Sequence, residues 1–244
     1  EDPRRQRQMC IRDRDILVVQ DKLYASIIFE KEPRCFTNSI LVSQIAEILE
    51  FNEFFTISDC IKQYESEEFN AHQTGGKMDI FDDEHIVLTT GDFRSRWLAQ
   101  DSESLFGKIL KINTSNSIAI SLAKGTRNAQ GIFVDREENQ IWLTEHGPQG
   151  GDEINLLDLN NEDINFGWPI SSYGGHYGHS KVNQSGNLYE VRNRSVYKKF
   201  PLYKSHKDYG FTEPIKYFVP SIGISDIVKI YKSSKPKYLS LIHI

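Results

Sequence analysis

Short runs of apolar residues separated by polar turns recur along most of the chain. Ile16–Val19 and Leu23–Phe29 flank a polar break, a layout that predicts a strand, a tight turn and a second strand. The same layout recurs in residues 77–90 and in residues 131–144. Residues 107–113 alternate apolar and polar positions with the period of two expected of a half-buried strand.

Helical periodicity is weak, and only residues 43–55 are interpreted as a short helix. Hairpins that recur without long helices between them predict an antiparallel all-β repeat architecture. A β-propeller is the natural candidate because radial repetition protects strand edges. The repeats share little identity, so the pattern alone leaves a β-sandwich open. Residues 183–199 are polar and predict a long surface loop rather than a domain boundary.

The two ends of the chain are predicted to be foreign to the protein. The DNA string ctgtctcttatacacatct encodes residues 239–244, and its reverse complement encodes residues 9–13. The string resembles a transposon end used in sequencing libraries. We therefore expect residues 1–14 and 239–244 to be an adaptor-derived scar, and residues 15–238 to be a partial domain.

The amino-acid composition argues against several classes of protein. The 244 residues are 39% hydrophobic and 26% charged, which is typical of a globular chain rather than a disordered one. No apolar run is long enough for a membrane-spanning helix. The net charge of -5 argues against a nucleic-acid partner, and excluding the arginine-rich first residues makes the chain more acidic still.

Two cysteines, Cys35 and Cys60, remain once the predicted scar is excluded. In an oxidising compartment they could form a disulfide, and the alternative is two buried free thiols. Their spacing matches no zinc-binding pattern.

Two glycine-bounded turns carry candidate chemistry. His72 precedes Gly75-Gly76 at the start of a predicted strand, where a neutral imidazole could take a proton from a hydroxyl. Arg127 and Asn128 lie between Gly125 and Gly131 and offer a cation and an amide to an anionic or quinonoid oxygen. Each turn also has an ordinary structural interpretation, as a surface histidine and as an arginine paired with a carboxylate.

A third loop reads Glu145-His146-Gly147-Pro148-Gln149-Gly150-Gly151-Asp152-Glu153 and follows a predicted strand. Such a loop can aim backbone carbonyls at a hard cation, and calcium takes oxygen ligands. A rigid structural loop is the alternative. A fourth segment, residues 165–177, places aromatic residues among glycines, which can stack on a planar ring or pack in a core.

Five motifs in one order make a family resemblance specific. They are His-x-x-Gly-Gly, Gly-x-Arg-Asn-x-Gln-Gly, Glu-His-Gly-Pro-x-Gly-Gly-Asp-Glu-Ile-Asn, Asn-Phe-Gly-Trp-Pro and Val-Pro-Ser-Ile, beginning at residues 72, 125, 145, 165 and 219. Together they resemble the soluble pyrroloquinoline-quinone (PQQ)-dependent sugar dehydrogenases of the glucose/sorbosone dehydrogenase family. The resemblance implies a six-bladed β-propeller with four-stranded antiparallel blades, of which this chain would hold about four.

The resemblance also implies residue roles. His72 matches the general base that takes the proton of the sugar hydroxyl as hydride moves to PQQ. Arg127 matches the residue that stabilises negative charge on the quinone oxygen. Gly147 and Pro148 match the pair whose carbonyls hold the calcium ion. The remaining matches are cofactor contacts or rim positions, namely Asn128, Gln130, His146 and Asp152.

Two departures from the family pattern concern the substrate. His146 stands where glucose-oxidising members have Gln, and Ala71 stands where they have an acidic residue before the base. Both make glucose a doubtful substrate. The family's later blades supply further cofactor contacts that lie beyond Tyr238, so we expect the chain as given to be inactive alone.

Two further expectations, on partners and on location, follow from the resemblance. The partners would be a small sugar or alcohol and an external electron acceptor, and a homodimer is left open. The protein would be periplasmic or secreted, in agreement with a Cys35–Cys60 bridge.

The alternative function is a non-catalytic propeller that binds protein or glycan. A calcium-dependent lactonase ranks last because it needs a carboxylate-rich metal site.

Overall fold

The structure is a computed structural model that describes residues 13–65, 69–176, 180–182, 188–190, 198–230 and 237–242. Its strands, in chain order, are β1 (Asp13–Val19), β2 (Lys22–Glu32), β3 (Cys35–Gln44), β4 (Asn52–Thr56), β5 (Ile61–Lys62), β6 (Gly75–Ile80), β7 (His85–Thr90), β8 (Lys108–Asn113), β9 (Ala119–Lys124), β10 (Ala129–Asp135), β11 (Gln140–Glu145), β12 (Asp152–Asp158), β13 (Ile164–Asn165), β14 (Ser180–Val182), β15 (Leu188–Glu190), β16 (Lys216–Phe218), β17 (Ile224–Ile230) and β18 (Lys237–Ile242). Two short 3-10 helices cover Arg96–Ala99 and Lys207–Tyr209.

The strands form a β-propeller. Three sheets each contain four antiparallel strands, in the orders β1-β2-β3-β4, β6-β7-β8-β9 and β10-β11-β12-β16, and β17 pairs with β18 to begin the next. The short strands β5 and β13 extend the first and second sheets. The first strands of successive sheets contact one another, β1 with β6, β6 with β10 and β10 with β17. This radial contact of first strands distinguishes propeller blades from the two layers of a sandwich. The total of six blades stays a prediction.

Apolar side chains fill the spaces between adjacent blades. Ile86 and Leu88 on one face of β7 join a core with the first sheet, whereas Val87, on the other face, joins a core with the third. Alternate residues of a strand point to opposite faces, so a middle strand of a middle blade is apolar on both. This explains the continuous run Ile86-Val87-Leu88 in the sequence.

The predicted hairpins are confirmed. Residues 13–32, 75–90 and 129–145 each form a strand, a turn and an antiparallel strand, and residues 108–113 form β8. The cysteines Cys35 and Cys60 form a disulfide bond. The predicted loop at 183–199 lies mostly outside the described residues.

The predicted helix at residues 43–55 is wrong. The chain continues β3 to Gln44, bends, and returns as β4, with Val42 opposite Asn52. Ile45, Ile48 and Leu49 have near-helical spacing, yet their side chains are 52%, 75% and 42% exposed. Because these side chains stay exposed, a helix here would gain no free energy from burying them. The pairing of β3 with β4, which flank the bend, therefore sets the conformation of the segment.

Candidate functional site

The loops that carry the predicted site residues lie at one end of the propeller. Strand register places Gly75 opposite Thr90, and Ala129 opposite Glu145. The starts of β6 and β10 and the ends of β7 and β11 therefore share one end of the sheets. The loop that precedes β6 and contains His72 and Gln73 thus approaches the loop that follows β11 and begins at His146, although the two are far apart in sequence.

Arg127 is held in place at this end by several contacts. Its side chain is buried, with 3% of the residue exposed. Its Nη1 donates a hydrogen bond to the carbonyl of His146 (2.6 Å), and its backbone N–H donates to Glu145 Oε1 (2.5 Å). The guanidinium carbon lies 5.4 Å from the centre of the Trp168 ring, within cation–π range. Arg127 is therefore a positioned, largely desolvated cation.

Asn128 joins three of the predicted loops. Its Oδ1 accepts hydrogen bonds from the backbone N–H of Gly75 (3.1 Å) and from Gln130 Nε2 (2.8 Å). Its backbone carbonyl accepts from the N–H of His146 (3.1 Å). The structure thus brings together Arg127, Asn128, Gln130 and His146, all of which the family resemblance assigns to the cofactor.

His72 lies in an exposed turn beside these loops. Its N–H donates to Asn70 Oδ1 (2.8 Å), which closes the turn. The turn is held to the loop after β7, because Asn70 N–H donates to the Phe93 carbonyl (3.0 Å) and Phe93 N–H donates to the Gln73 carbonyl (2.9 Å). The imidazole is therefore on the surface at this end of the propeller, where a substrate could reach it.

Asp92, which sequence reasoning missed, connects the histidine turn to Arg127. Its backbone N–H donates to the Arg127 carbonyl (3.1 Å), and its Oδ2 accepts from Trp168 Nε1 (2.7 Å). Burial raises the pKa of Asp92, against the opposing effect of the Arg127 charge. Arg96 also lies near Trp168, with its guanidinium carbon 5.2 Å from the ring centre. The indole therefore contacts two cations and one carboxylate.

The loop at residues 147–151 is closely packed. Pro148 accepts a hydrogen bond at its carbonyl from Gly151 N–H (3.1 Å), and a Cβ on Gly147 would lie 1.6 Å from the Gly151 carbonyl oxygen. Within the described residues, no three His, Cys, Asp or Glu side chains form a metal-sized cluster. Carbonyl oxygens are the ligands that the family resemblance assigns to Gly147 and Pro148, and they are a ligand type that calcium takes.

Glu145, which accepts the backbone N–H of Arg127, is one of two neighbouring buried acidic residues. Glu145 and Glu153 face each other across β11 and β12, and they are 4% and 5% exposed. Burial and the neighbouring Glu153 raise the pKa of Glu145 well above its ordinary value. His206 Nε2 lies 3.4 Å from Glu153 Oε1, and although burial alone would lower its pKa, this carboxylate raises it overall.

Asp152 anchors a loop. Its carboxylate accepts hydrogen bonds from Ser221 Oγ (3.0 Å) and from the backbone N–H groups of Ile222 (3.1 Å), Gly223 (2.8 Å) and Ile224 (3.3 Å). These contacts fix residues 221–224 before β17. The Asp152 carboxylate is therefore occupied by one side-chain donor and three backbone donors of this loop.

Two buried polar atoms next to His72 have no hydrogen-bond partner within the described part of the chain: Gln73 Oε1 and Thr74 Oγ1. A native structure rarely leaves such atoms unsatisfied without a ligand or water.

A separate cavity of about 810 Å³ lies between the first blade and the loop after β7. None of the predicted site residues lines it; Cys60, Arg94, Arg96 and Phe200 are among those that do.

Comparison with known proteins places these features in a family. The family model described as Glucose / Sorbosone dehydrogenase matches residues 29–241. The aldose sugar dehydrogenase YliI of Escherichia coli (strain K12) is 31% identical over 125 residues, which cover 46% of this chain and 33% of that protein. The uncharacterized protein slr1608 of Synechocystis is 29% identical over 126 residues, covering 42% of this chain and 30% of that protein.

Solved structures show the same fold. The soluble aldose sugar dehydrogenase of Escherichia coli, in its apo-form, superposes with a TM-score of 0.64 at 22% identity, covering 88% of this chain and 58% of that chain. The PQQ-bound aldose sugar dehydrogenase of Streptomyces coelicolor superposes with a TM-score of 0.55 at 20% identity, covering 85% and 52%. The matches span about a third of the length of the curated relatives and little more than half of these two structures.

Proposed function

Because the chain belongs to the glucose/sorbosone dehydrogenase family, we propose that it forms part of a quinoprotein oxidoreductase that oxidises an aldose or related alcohol, with PQQ as hydride acceptor. The observation that carries the proposal is the set of hydrogen bonds joining Gly75, Asn128, Arg127 and His146. These bonds connect three of the loops whose motifs resemble the family. The complete protein, rather than residues 15–238 alone, would be the active species.

His72 and Arg127 have different proposed roles, namely proton transfer and stabilisation of negative charge. The exposed imidazole of His72 would take the proton of the substrate hydroxyl at a ring nitrogen. The Arg127 guanidinium would bind an anionic oxygen of the cofactor, and its fixed position means that no reorganisation is needed when charge develops there. The buried Trp168 would keep water away from the inner face of that guanidinium.

The residues present suit PQQ and calcium. PQQ is planar, polar and anionic, and this end of the propeller offers a cation, amide groups and the unsatisfied Gln73 Oε1 and Thr74 Oγ1. Gly147 and Pro148 would hold calcium through their carbonyls, because calcium prefers oxygen ligands and tolerates flexible geometry. Asn128, Gln130 and His146 would contact or border the cofactor.

We further propose a periplasmic or secreted location. Disulfides persist in oxidising compartments and are rare where thiols are kept reduced. The Cys35–Cys60 bond supports such a location. No helix among the described residues is long and apolar enough to cross a membrane.

The test is reconstitution of the complete protein with calcium and PQQ. We expect saturable PQQ binding, followed by aldose-dependent reduction of an artificial electron acceptor. Testing several aldoses in parallel will define the substrate, because Ala71 and His146 differ from the glucose-oxidising pattern. Saturable PQQ binding without turnover on any aldose or alcohol would contradict the proposed reaction.

The second candidate is a non-catalytic propeller that binds protein or glycan. Ala71 favours it, because a small apolar side chain stands where the family resemblance places an acidic sugar contact. The same titration separates the two functions. A complete protein that shows no absorbance change with micromolar PQQ, yet retains a cooperative fold, would favour the binding module.

A further inference from the structure

Three consecutive backbone carbonyls converge on one lysine. Lys204 Nζ donates hydrogen bonds to the carbonyl oxygens of Ser172 (3.1 Å), Tyr173 (3.3 Å) and Gly174. An ammonium group has three N–H donors, which matches three acceptors. Carbonyl dipoles that point at one position repel one another unless a positive charge lies there. Lys204 therefore supplies an internal cation for residues 172–175, which we name the strap.

The strap packs directly against the loop at residues 147–151. Gly175 N–H donates to the Gln149 carbonyl (2.7 Å). A Cβ on Gly174 would lie 2.6 Å from the Pro148 carbonyl oxygen, and a Cβ on Gly151 would lie 2.1 Å from Gly174 N. With so little space between the two backbones, the strap cannot move towards Pro148 without displacing it.

The segment that carries Lys204 is itself held in place. Ser172 N–H donates to the Tyr203 carbonyl (3.0 Å), and Tyr203 N–H donates to the Ile170 carbonyl (2.9 Å). Further along, Glu213 accepts a hydrogen bond from the Tyr173 hydroxyl and another from the backbone N–H of His206 (3.1 Å). The strap is thus held from both sides, and Lys204 is its positively charged contact.

We propose that Lys204 is a positioning residue for the calcium-binding carbonyls of Gly147 and Pro148. The inference rests on the proposed function, because the strap is proposed to position the carbonyls of the proposed calcium site. Lys204 would act through the strap, which fixes the direction of the Pro148 carbonyl without contacting the ion. Residues that orient metal ligands from outside the first coordination sphere change metal affinity by about 10- to 100-fold.

The experiment compares three variants of the complete protein. Lys204→Met keeps the length of the side chain and removes its charge, whereas Lys204→Arg keeps a cation. Lys207→Met is the matched control, because Lys207 contributes only its backbone N–H to Glu213 in this cluster. Calcium affinity is measured by titration calorimetry, and amide hydrogen exchange of the strap is measured without calcium.

We expect Lys204→Met to weaken calcium binding about tenfold or more and to speed exchange of the strap amides. Lys204→Arg should recover most of the affinity, and Lys207→Met should match the wild type. If the wild type binds calcium and Lys204→Met binds it equally well, the positioning role is wrong while the proposed function stands. If the wild type itself binds no calcium, the proposed calcium site fails and the inference fails with it.

Discussion

The guanidinium of Arg127 donates a hydrogen bond to the backbone carbonyl of His146. Because the acceptor is a backbone atom, the fold of the loop after β11, rather than the identity of side chain 146, sets the position of the cation. The same loop continues into Gly147 and Pro148. The predicted electrostatic group and the predicted calcium ligands are therefore joined by one short piece of chain.

Replacing Arg127 by Lys should impair catalysis more than folding. A lysine ammonium cannot reproduce the planar guanidinium that contacts both the His146 carbonyl and the Trp168 ring. For the reconstituted complete protein we expect kcat to fall about 10²- to 10³-fold, the usual effect of removing one donor to developing charge. Arg136→Lys, at an exposed position, is the control. An unchanged kcat in Arg127→Lys would remove the residue from the mechanism.

Glu145→Gln should flatten the pH dependence of stability. Burial, reinforced by Glu153, raises the pKa of Glu145 above its ordinary value of 4.5. The native state then holds the proton at pH values where the unfolded chain has lost it, so the free energy of unfolding falls as pH rises from about 4.5 towards the raised pKa. Glutamine keeps an oxygen that can accept the Arg127 N–H and does not titrate.

Urea unfolding at about pH 5 and about pH 9 measures this effect. The variant should lose less stability than the wild type between these two conditions. Glu138→Gln, at an exposed position, should follow the wild type. Parallel curves for Glu145→Gln and the wild type would mean that Glu145 ionises normally.

Lys229→Met should strongly destabilise the packing of β10 against β17. Lys229 Nζ lies 2.7 Å from Asp135 Oδ2, and the two side chains are only 2% and 1% exposed. Removing the lysine takes away the positive charge that faces the buried Asp135 carboxylate, and breaking a buried ion pair in this way costs about 3–5 kcal/mol of unfolding free energy. Lys77→Met is the comparison, because its ion pair with Asp15 (3.5 Å) is about a quarter exposed and should contribute about 0–1 kcal/mol. Equal urea midpoints for the two variants would contradict this difference.

Hairpins were predictable because their signal is local. In residues 15–29 and 131–144, apolar runs flank short polar turns, and the runs are too short to form stable helices. The segment at 43–55 is misleading for the same reason. Its local spacing suits a helix, but it connects β3 and β4, which pair with each other. Pairing between strands cannot be read from the segment that connects them.

The proximity of the candidate loops was predictable where a motif carries its own geometry. The turns around Arg127 and Gly147 are marked by glycine, asparagine and proline, and the structure joins them through backbone contacts. Asp92 was missed, and the pairing of Glu153 with Glu145 was not foreseen, because both depend on neighbours far away in sequence. The available signal was a charged residue beside an apolar strand, as in Thr144-Glu145 and Glu153-Ile154. Such a residue must be either exposed or paired, and strand pairing decides which.

His72 is proposed to act as the base at a PQQ site on this end of the propeller. This role is tested most directly by measuring PQQ affinity and single-turnover reduction by an aldose in His72→Ala of the complete protein. We predict near-normal PQQ affinity and a rate that is lower by about 10²- to 10⁴-fold, the usual contribution of a general base. A variant that binds PQQ and is reduced at the wild-type rate would contradict the account.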